Sequence, residues 1–235
     1  MVATFLNSYF YYYKINCKMK KIAISLLLSC FFITVTQAQK AKPASSMYLP
    51  VNFKSTDGTD SSYLLQKGDE LLYQVTAFGT QYDFIVTVNS GGAEKPLDFN
   101  YRMTNTAGTA GHVIISAAAR ATAKQYINYF TGGELLLTTA STVWITDANF
   151  TDFATQKTTM AFDGGATETM YTSAHSEVNP VIKIKGTERK LDGFSITNAA
   201  FGNKGDKTLW INNSSLNPLI IKMELGFTIE LKEIR

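Results

Sequence analysis

Apolar and polar residues alternate with a period of two along much of the chain, the pattern that places one face of a β-strand in a core. Three segments show it most clearly, namely Leu72–Phe78, Tyr82–Val88 and Asp98–Thr104. Weaker alternation predicts further strands at His112–Ser116, Gln125–Phe130, Glu134–Thr139, Thr142–Thr146, Thr158–Phe162, Thr167–Tyr171, Val181–Lys185 and Lys207–Ile211. Pairs of Gly and Asn stand between several of these runs and predict hairpin turns, because both residues tolerate positive φ.

Two segments favour short helices. Ser116–Lys124 is rich in Ala but poor in large apolar residues, which predicts a short helix on the surface. Asp147–Ala154 opens with a residue that caps helix N-termini and places Phe150 and Phe153 three positions apart on one side. The predicted fold class is therefore mainly β, a curved antiparallel sheet or a partly open barrel, with one or two short helices.

The C-terminal segment carries the longest alternation. Seven apolar residues hold one parity, at positions 219, 221, 223, 225, 227, 229 and 231, and the charged and polar residues at 222, 224, 228, 230 and 232 hold the other. A reversal of the chain at Gly226 would pair residues of like parity and would set Lys222 opposite Glu230, a favourable cross-strand charge pair. The alternative is one long strand that is kinked at the glycine.

The charge of the chain belongs mostly to its first residues. The 235 residues include 22 Lys and Arg against 19 Asp and Glu, a formal net charge of +3. Four of these bases, Lys14, Lys18, Lys20 and Lys21, lie in the first 38 residues, which contain no acid. Without these four residues, 18 bases stand against 19 acids. Nucleic-acid binding needs a clustered positive excess, which this remainder lacks. No nucleic-acid partner is predicted.

The N-terminal residues resemble a secretory signal. Met19–Lys21 is a charged start, Ile22–Val35 is an apolar run of 14 residues, and cleavage after Ala38 is predicted. As a helix the run would rise about 21 Å, which is short of a bilayer core of about 30 Å, so no stable membrane span is predicted. Residues 1–38 are thus a leader, in which Met19 competes with Met1 as the true start. Residues 39–66 are a lead-in, and 67–235 a single β domain.

Both cysteines, Cys17 and Cys30, fall in the predicted leader. The exported chain would then have no thiol, which excludes thiol catalysis and zinc sites with Cys ligands. One alternative concerns Leu27–Cys30, which loosely resembles a lipobox in which Cys30 would carry a lipid. Either way the predicted location is outside the cytoplasm, in the periplasm or on the cell surface of a Gram-negative bacterium.

The pattern of a serine hydrolase is missing. Beyond the leader the chain has two histidines, His112 and His175, and no Gly-x-Ser-x-Gly elbow; Gly193–Thr197 is the nearest approach and lacks the second glycine. The sequence therefore predicts that the protein is not an enzyme, with no catalytic residue and no cofactor.

The sequence offers equally little support for a metal site or for glycosidase catalysis. His175 and Glu177 have no second histidine nearby, and Asp57–Asp60 breaks off before a calcium loop is complete. A glycosidase pair could be drawn from four scattered carboxylates, whose separation the sequence does not fix. These are Asp163, Glu168, Glu177 and Asp192. No metal site is predicted.

Aromatic residues are the one chemical surplus. Such rings line lipid cavities and sugar-binding platforms, although Tyr and Trp also favour ordinary strand packing. The residues proposed on this basis to bind a ligand are Tyr73, Tyr82, Tyr101, Trp144 and Trp210.

The ends of the domain resemble a known group of proteins. Lys67–Val75 is similar to the opening strand of uncharacterised exported bacterial domains built on a curved antiparallel sheet. Thr208–Ile211, Pro218–Glu224 and Phe227–Leu231 resemble the closing strands of those domains and of the periplasmic lipoprotein-carrier superfamily, which is LolA-like. The resemblance implies a sheet wrapped partly around short helices, with an apolar interior that holds acyl chains. It implies no catalytic residues.

Two functions follow as hypotheses. The first is a non-enzymatic exported domain of the cell envelope that binds a lipid or other apolar ligand on the concave face of its sheet. The alternative is a carbohydrate-binding or surface-interaction module that uses exposed Tyr and Trp. A hydrolase ranks last, because no nucleophile has a base beside it. The sequence predicts no oligomeric state.

Overall fold

The structure, a computed structural model, describes residues 63–90, 96–105, 107–173, 179–199 and 205–235, all within one compact unit. The predicted leader with Cys17 and Cys30, the Asp57–Asp60 segment, His175 and Glu177 lie outside these residues.

Strands dominate the described residues. The first eight are β1 (Glu70–Ala77), β2 (Thr80–Ser90), β3 (Leu97–Met103), β4 (Ala110–Ile115), β5 (Gln125–Tyr126), β6 (Gly133–Leu137), β7 (Ala140–Ser141) and β8 (Lys157–Phe162). The remaining seven are β9 (Glu168–Thr172), β10 (Val181–Ile184), β11 (Thr187–Lys190), β12 (Gly193–Thr197), β13 (Thr208–Asn212), β14 (Ile220–Glu224) and β15 (Thr228–Ile234). Two short helices, α1 (Ala117–Thr122) and α2 (Asp147–Phe153), complete the set.

The strands form one curved, nearly closed sheet in the order β6-β4-β3-β2-β1-β15-β14-β13-β12-β9-β8-β5-β7, with the β10–β11 hairpin joined to β15. Ten strand pairs are antiparallel, which confirms the predicted mainly β fold with a curved sheet. Four pairs, β4–β6, β5–β7, β5–β8 and β10–β15, are parallel, so the sheet is mixed. Long connections explain some of these: the chain between β4 and β6 runs through α1 and β5 before it returns.

Some strand predictions are wrong, and each for a local reason. Only Gln125 and Tyr126 of the predicted segment Gln125–Phe130 form a strand, and the rest is a loop. In the segment Thr142–Thr146, Trp144 forms a single bridge with Leu219, because the chain turns there into α2. β11 and β12 were not predicted: β11 is exposed at every position and β12 is buried at four of its five, so neither alternates.

Both helices occur where the sequence predicts them, with two corrections. Thr146, rather than Asp147, caps α2: its Oγ1 accepts a hydrogen bond from the backbone N–H of Asn149 at 3.3 Å. α1 is not purely a surface helix, since Ala119 and Arg120 are buried.

The C-terminal segment is a hairpin, as one of the two alternatives predicts. Gly226, at φ +88°, lies in the turn between β14 and β15, and Lys222 stands opposite Glu230 in the register. The close ion pairs, however, run along each strand, from Lys222 to Glu224 and from Lys232 to Glu230, both at 2.7 Å.

The core fills the inside of this curved sheet. Phe150 and Phe153 of α2 both meet the ring of Phe194 edge to face, at 5.9 and 5.7 Å between centroids.

Before β1, the buried carboxylate of Asp69 accepts hydrogen bonds from Lys185 Nζ at 2.6 Å and from the Tyr63 hydroxyl at 2.7 Å. The polar groups that close this end of β1 therefore bond to one another.

Candidate functional site

An apolar pocket of about 350 Å³ opens at the opposite end of β1. Six of its lining residues are aromatic: Phe78, Tyr82, Phe84, Tyr129, Phe130 and Phe227. Four more are aliphatic or thioether residues: Val75, Ala77, Met103 and Ile229. Three polar residues, Asn105, Asn128 and Asp163, complete the lining. The volume lies near the lower end of the range for small-molecule pockets, about 300–1,000 Å³.

The pocket lies on the same side of the sheet as the core, because the residues that line it on β1, β2 and β15 include core residues and their direct cross-strand neighbours. Tyr82, Val75 and Ile229 stand side by side on β2, β1 and β15 in the register. Val75 and Ile229 are buried, whereas Tyr82, one strand further out, is half-buried. The interior of the curved sheet therefore reaches this end without being filled by side chains.

A loop held at both ends forms another wall of the pocket. The backbone N–H of Asn128 donates to Asp163 Oδ1 at 2.7 Å, and the N–H of Gly132 donates to the Tyr101 hydroxyl at 2.9 Å. Between these anchors the ring of Phe130 stacks on Phe84, with centroids 5.1 Å apart and planes 15° from parallel. The loop thus adds an aromatic wall whose position is set by hydrogen bonds.

Tyr101 supports this wall from behind. Its ring lies 4.8 Å from that of Phe130 and 5.8 Å from that of Phe84, and only 4% of the residue is exposed. Gly111 leaves room for it, because a Cβ at this position would lie 2.7 Å from the Tyr101 ring. Tyr101 is therefore a positioning residue for the pocket.

Two aromatic side chains stand at the rim and face solvent. Phe78, in the turn between β1 and β2, is fully exposed, and Tyr129 is 61% exposed. Phe78 also has φ +51°, a left-handed conformation that bulky side chains rarely adopt. Exposed rings beside an apolar pocket are a common feature of binding sites, where a ligand covers them.

The polar lining consists of hydrogen-bond acceptors and amides. The side-chain oxygens of Asn105 and Asn128 are buried and have no hydrogen-bond partner among the described residues. Asp163 supplies a carboxylate, and the described lining contains no Lys, Arg or His. The site is thus apolar in its body, with acceptor groups and a negative charge in its lining.

The five aromatic residues proposed from the sequence do not form one site. Tyr82 lines the pocket and Tyr101 lies behind its wall. Tyr73 is fully buried, where burial raises its pKa well above the usual value and its hydroxyl donates to the Ile220 carbonyl at 3.1 Å. Trp144 is buried too, packs 5.7 Å from Phe99 and directs its Nε1 to Asn217 Oδ1 at 3.3 Å. The structure places both of these rings in the core.

Trp210 lies in a different place, on the other face of the sheet. It lines a groove of about 370 Å³ together with charged residues that include Lys222, Glu230 and Lys232. Lys222 Nζ stands 4.7 Å from the centroid of the Trp210 ring, a cation–π contact that occupies one face of the ring.

The sequence did not single out Phe78, Phe130 or Phe227, although they line the pocket. For Phe78 a signal existed, because a phenylalanine directly before Gly79 in a two-residue turn stands where Asn or Asp is preferred. Phe130 was hidden by the wrong strand prediction, which would have placed it in an ordinary β-sheet.

Three of the four scattered carboxylates, Asp163, Glu168 and Asp192, lie in the described residues and have structural partners, as does the described histidine. Glu168 bonds to Lys207 and Asn198, and those hydrogen bonds hold its pKa below the usual value. His112 bonds to Asp98 at 2.7 Å. No group of three or more His, Cys, Asp or Glu side chains among the described residues could hold a metal ion. In the same part of the chain, no helix is both long and apolar enough to cross a membrane.

Comparison of the chain with protein-family models, with curated proteins and with solved structures gives no match.

Proposed function

We propose that the protein is a non-enzymatic exported domain of the cell envelope that binds a lipid or other apolar ligand in the pocket at the open end of β1. The observation that carries the proposal is the aromatic pocket itself, in which six of the residues that line about 350 Å³ of open space are aromatic. The LolA-like resemblance of the terminal strands is part of the proposal, since carriers of that kind hold acyl chains in an apolar interior.

The energetics favour an apolar occupant. Removing apolar surface from water contributes roughly 25 cal/mol per Å², so covering one exposed ring contributes on the order of 2 kcal/mol. Phe78 and Tyr129 offer two such rings, and the walls made by Phe84 and Phe130 are already fixed by stacking. A ligand would therefore bury exposed surface against a pocket that needs little rearrangement.

The test uses the neutral fluorescent probe phenylnaphthylamine with two matched variants of β1. Ala77→Phe puts a ring into the pocket, whereas Thr76→Phe adds the same ring to the adjacent residue, which is exposed and faces the opposite way. We expect the wild type and Thr76→Phe to bind the probe with similar affinity. Ala77→Phe should bind about tenfold more weakly, because the ring fills the space the probe needs.

Thermal unfolding of both variants checks that each is folded. The proposal fails if the folded wild type binds no probe, or if Ala77→Phe and Thr76→Phe bind it equally well. Native mass spectrometry of protein purified from its own host adds an independent readout, in which a retained apolar molecule is expected for the wild type and lost in Ala77→Phe.

A second candidate function is a carbohydrate-binding or surface-interaction module, and the groove at Trp210 favours it. An aromatic ring beside Glu230 and Lys232 combines an apolar platform with hydrogen-bonding groups. Under this function Trp210→Ala would abolish binding to an immobilised polysaccharide, and Ala77→Phe would leave that binding unchanged.

A further inference from the structure

We infer that the ligand of the aromatic pocket carries a hydrogen-bond-donating head group, an amine or a hydroxyl, rather than a carboxylate or phosphate. This inference rests on the proposed function and adds the chemistry of the head group to it. It follows from the exposed carboxylate of Asp163 in the lining and from the absence of Lys, Arg and His among the described lining residues.

The orientation of the Asn128 amide is fixed by its neighbour. Its Nδ2 donates to Asp163 Oδ2 at 3.3 Å, and an ionised carboxylate only accepts hydrogen bonds. A flipped amide would place two oxygens against each other. The Oδ1 atom of Asn128 is therefore the buried one, and the two hydrogen bonds that Asn128 donates hold the Asp163 carboxylate in place with its charge exposed.

Charge points the same way. Asp163 is exposed, takes part in no ion pair among the described residues, and lines the pocket where its carboxylate also holds the Asn128 loop. An anionic head group would face this charge with no lysine or arginine in the described lining to offset the repulsion. A protonated amine would gain from the same charge.

The experiment compares three ligands with one apolar body, namely octylamine, octanol and octanoate, as competitors of phenylnaphthylamine at neutral pH. We expect octylamine to compete best, octanol next, and octanoate about tenfold more weakly than octylamine. The advantage of octylamine over octanol should shrink as salt is added, because salt screens the exposed charge of Asp163.

The matched variant is Asp163→Asn, which keeps an oxygen to accept from the backbone of Asn128 but removes the charge. It should lower the preference for octylamine over octanol by about two- to fivefold, and this ratio is independent of any change that the new amide causes in the binding of both ligands. Equal competition by all three ligands, or an Asp163→Asn variant that keeps the full preference for octylamine, would overturn the inference while leaving apolar binding intact. A wild type that binds neither the probe nor any of the three ligands would instead overturn the proposed function, and this inference with it.

Discussion

Two tight hairpin turns, Phe78–Gly79 and Lys185–Gly186, lie at opposite ends of β1. Each is a two-residue loop in which both residues have positive φ, at +51° and +75° in the first turn and +49° and +81° in the second. Such turns suit the twist of a hairpin but favour Asn, Asp or Gly at their first position. Phe78 and Lys185 each carry a conformational cost on the order of 1–2 kcal/mol.

The two turns differ in what offsets that cost. Lys185 reaches the buried carboxylate of Asp69 at 2.6 Å, so its position is explained by a bond inside the protein. The Phe78 side chain is fully exposed beside an apolar pocket, and no burial within the described chain compensates it. An unfavourable residue that is not compensated internally indicates a role outside folding, and at Phe78 that role fits ligand contact.

The largest effect on stability is expected at the start of β1, where Asp69 lies. Replacing Asp69 by Ala removes the acceptor for Lys185, for the Tyr63 hydroxyl and for the backbone N–H of Gln66. Bonds to a charged acceptor contribute about 1.5–3 kcal/mol each, and Lys185 can return to water, so we expect a loss of about 2–4 kcal/mol in the free energy of unfolding. Urea denaturation measures it.

The control for this variant is Glu188→Ala, which removes an exposed carboxylate on β11, in the same hairpin as Lys185. A surface substitution of this kind should change stability by less than about 0.5 kcal/mol. Asp69→Ala should be clearly more destabilising than Glu188→Ala. If it were not, the hydrogen bonds of Asp69 would not distinguish this end of β1 from the end at Phe78, which lies beside the pocket.

A smaller loss of stability is expected when the pH is lowered. Burial alone would raise the pKa of Asp69, but hydrogen bonds from the backbone of Gln66 and from Lys185 and Tyr63 outweigh it, and the pKa lies below its ordinary value. The stabilisation is therefore complete above the unfolded-state pKa of about 3.9 and is lost as the pH falls through the lower folded value.

Thermal unfolding between neutral pH and acid tests this, with Asp69→Asn as the comparison. The asparagine cannot ionise, so the difference in melting temperature between wild type and variant should be largest above pH about 4 and should narrow below it. A difference that stays constant down to strong acid would show that the charge of Asp69 is not what stabilises this end.

Strands with one buried and one exposed face were predictable from the sequence, and strands without that difference were not. Alternation located β1, β2 and β3 within two residues of their observed ends, and the C-terminal pairing of Lys222 with Glu230 was correct, because one buried face fixes parity and register. The fully exposed β11 and the mostly buried β12 give no alternation and were missed.

The site was harder to predict than the fold, because aromatic residues in the core and in the pocket look alike in the sequence. Trp144 and Tyr82 both stand in apolar surroundings, yet Trp144 is enclosed on all sides and Tyr82 borders unfilled space. What distinguishes them is the distance from the end of the curved sheet and the loop that brings Phe130 over Phe84. Neither is a property of local sequence.

The smallest effect should come from placing the preferred residue in each of the two turns. Phe78→Asn relieves the left-handed strain and removes no internal contact that buries the side chain, so it should raise stability by about 1 kcal/mol while weakening phenylnaphthylamine binding. Lys185→Asn gains the same relief but loses the ion pair with Asp69, so it should not raise stability and should leave probe binding unchanged. Urea denaturation and probe titration of the two variants measure both quantities. If Phe78→Asn proved destabilising, Phe78 would be held by contacts within the fold, and the difference between the turns would disappear. If it were stabilising but bound the probe normally, the exposed ring would not belong to the binding site.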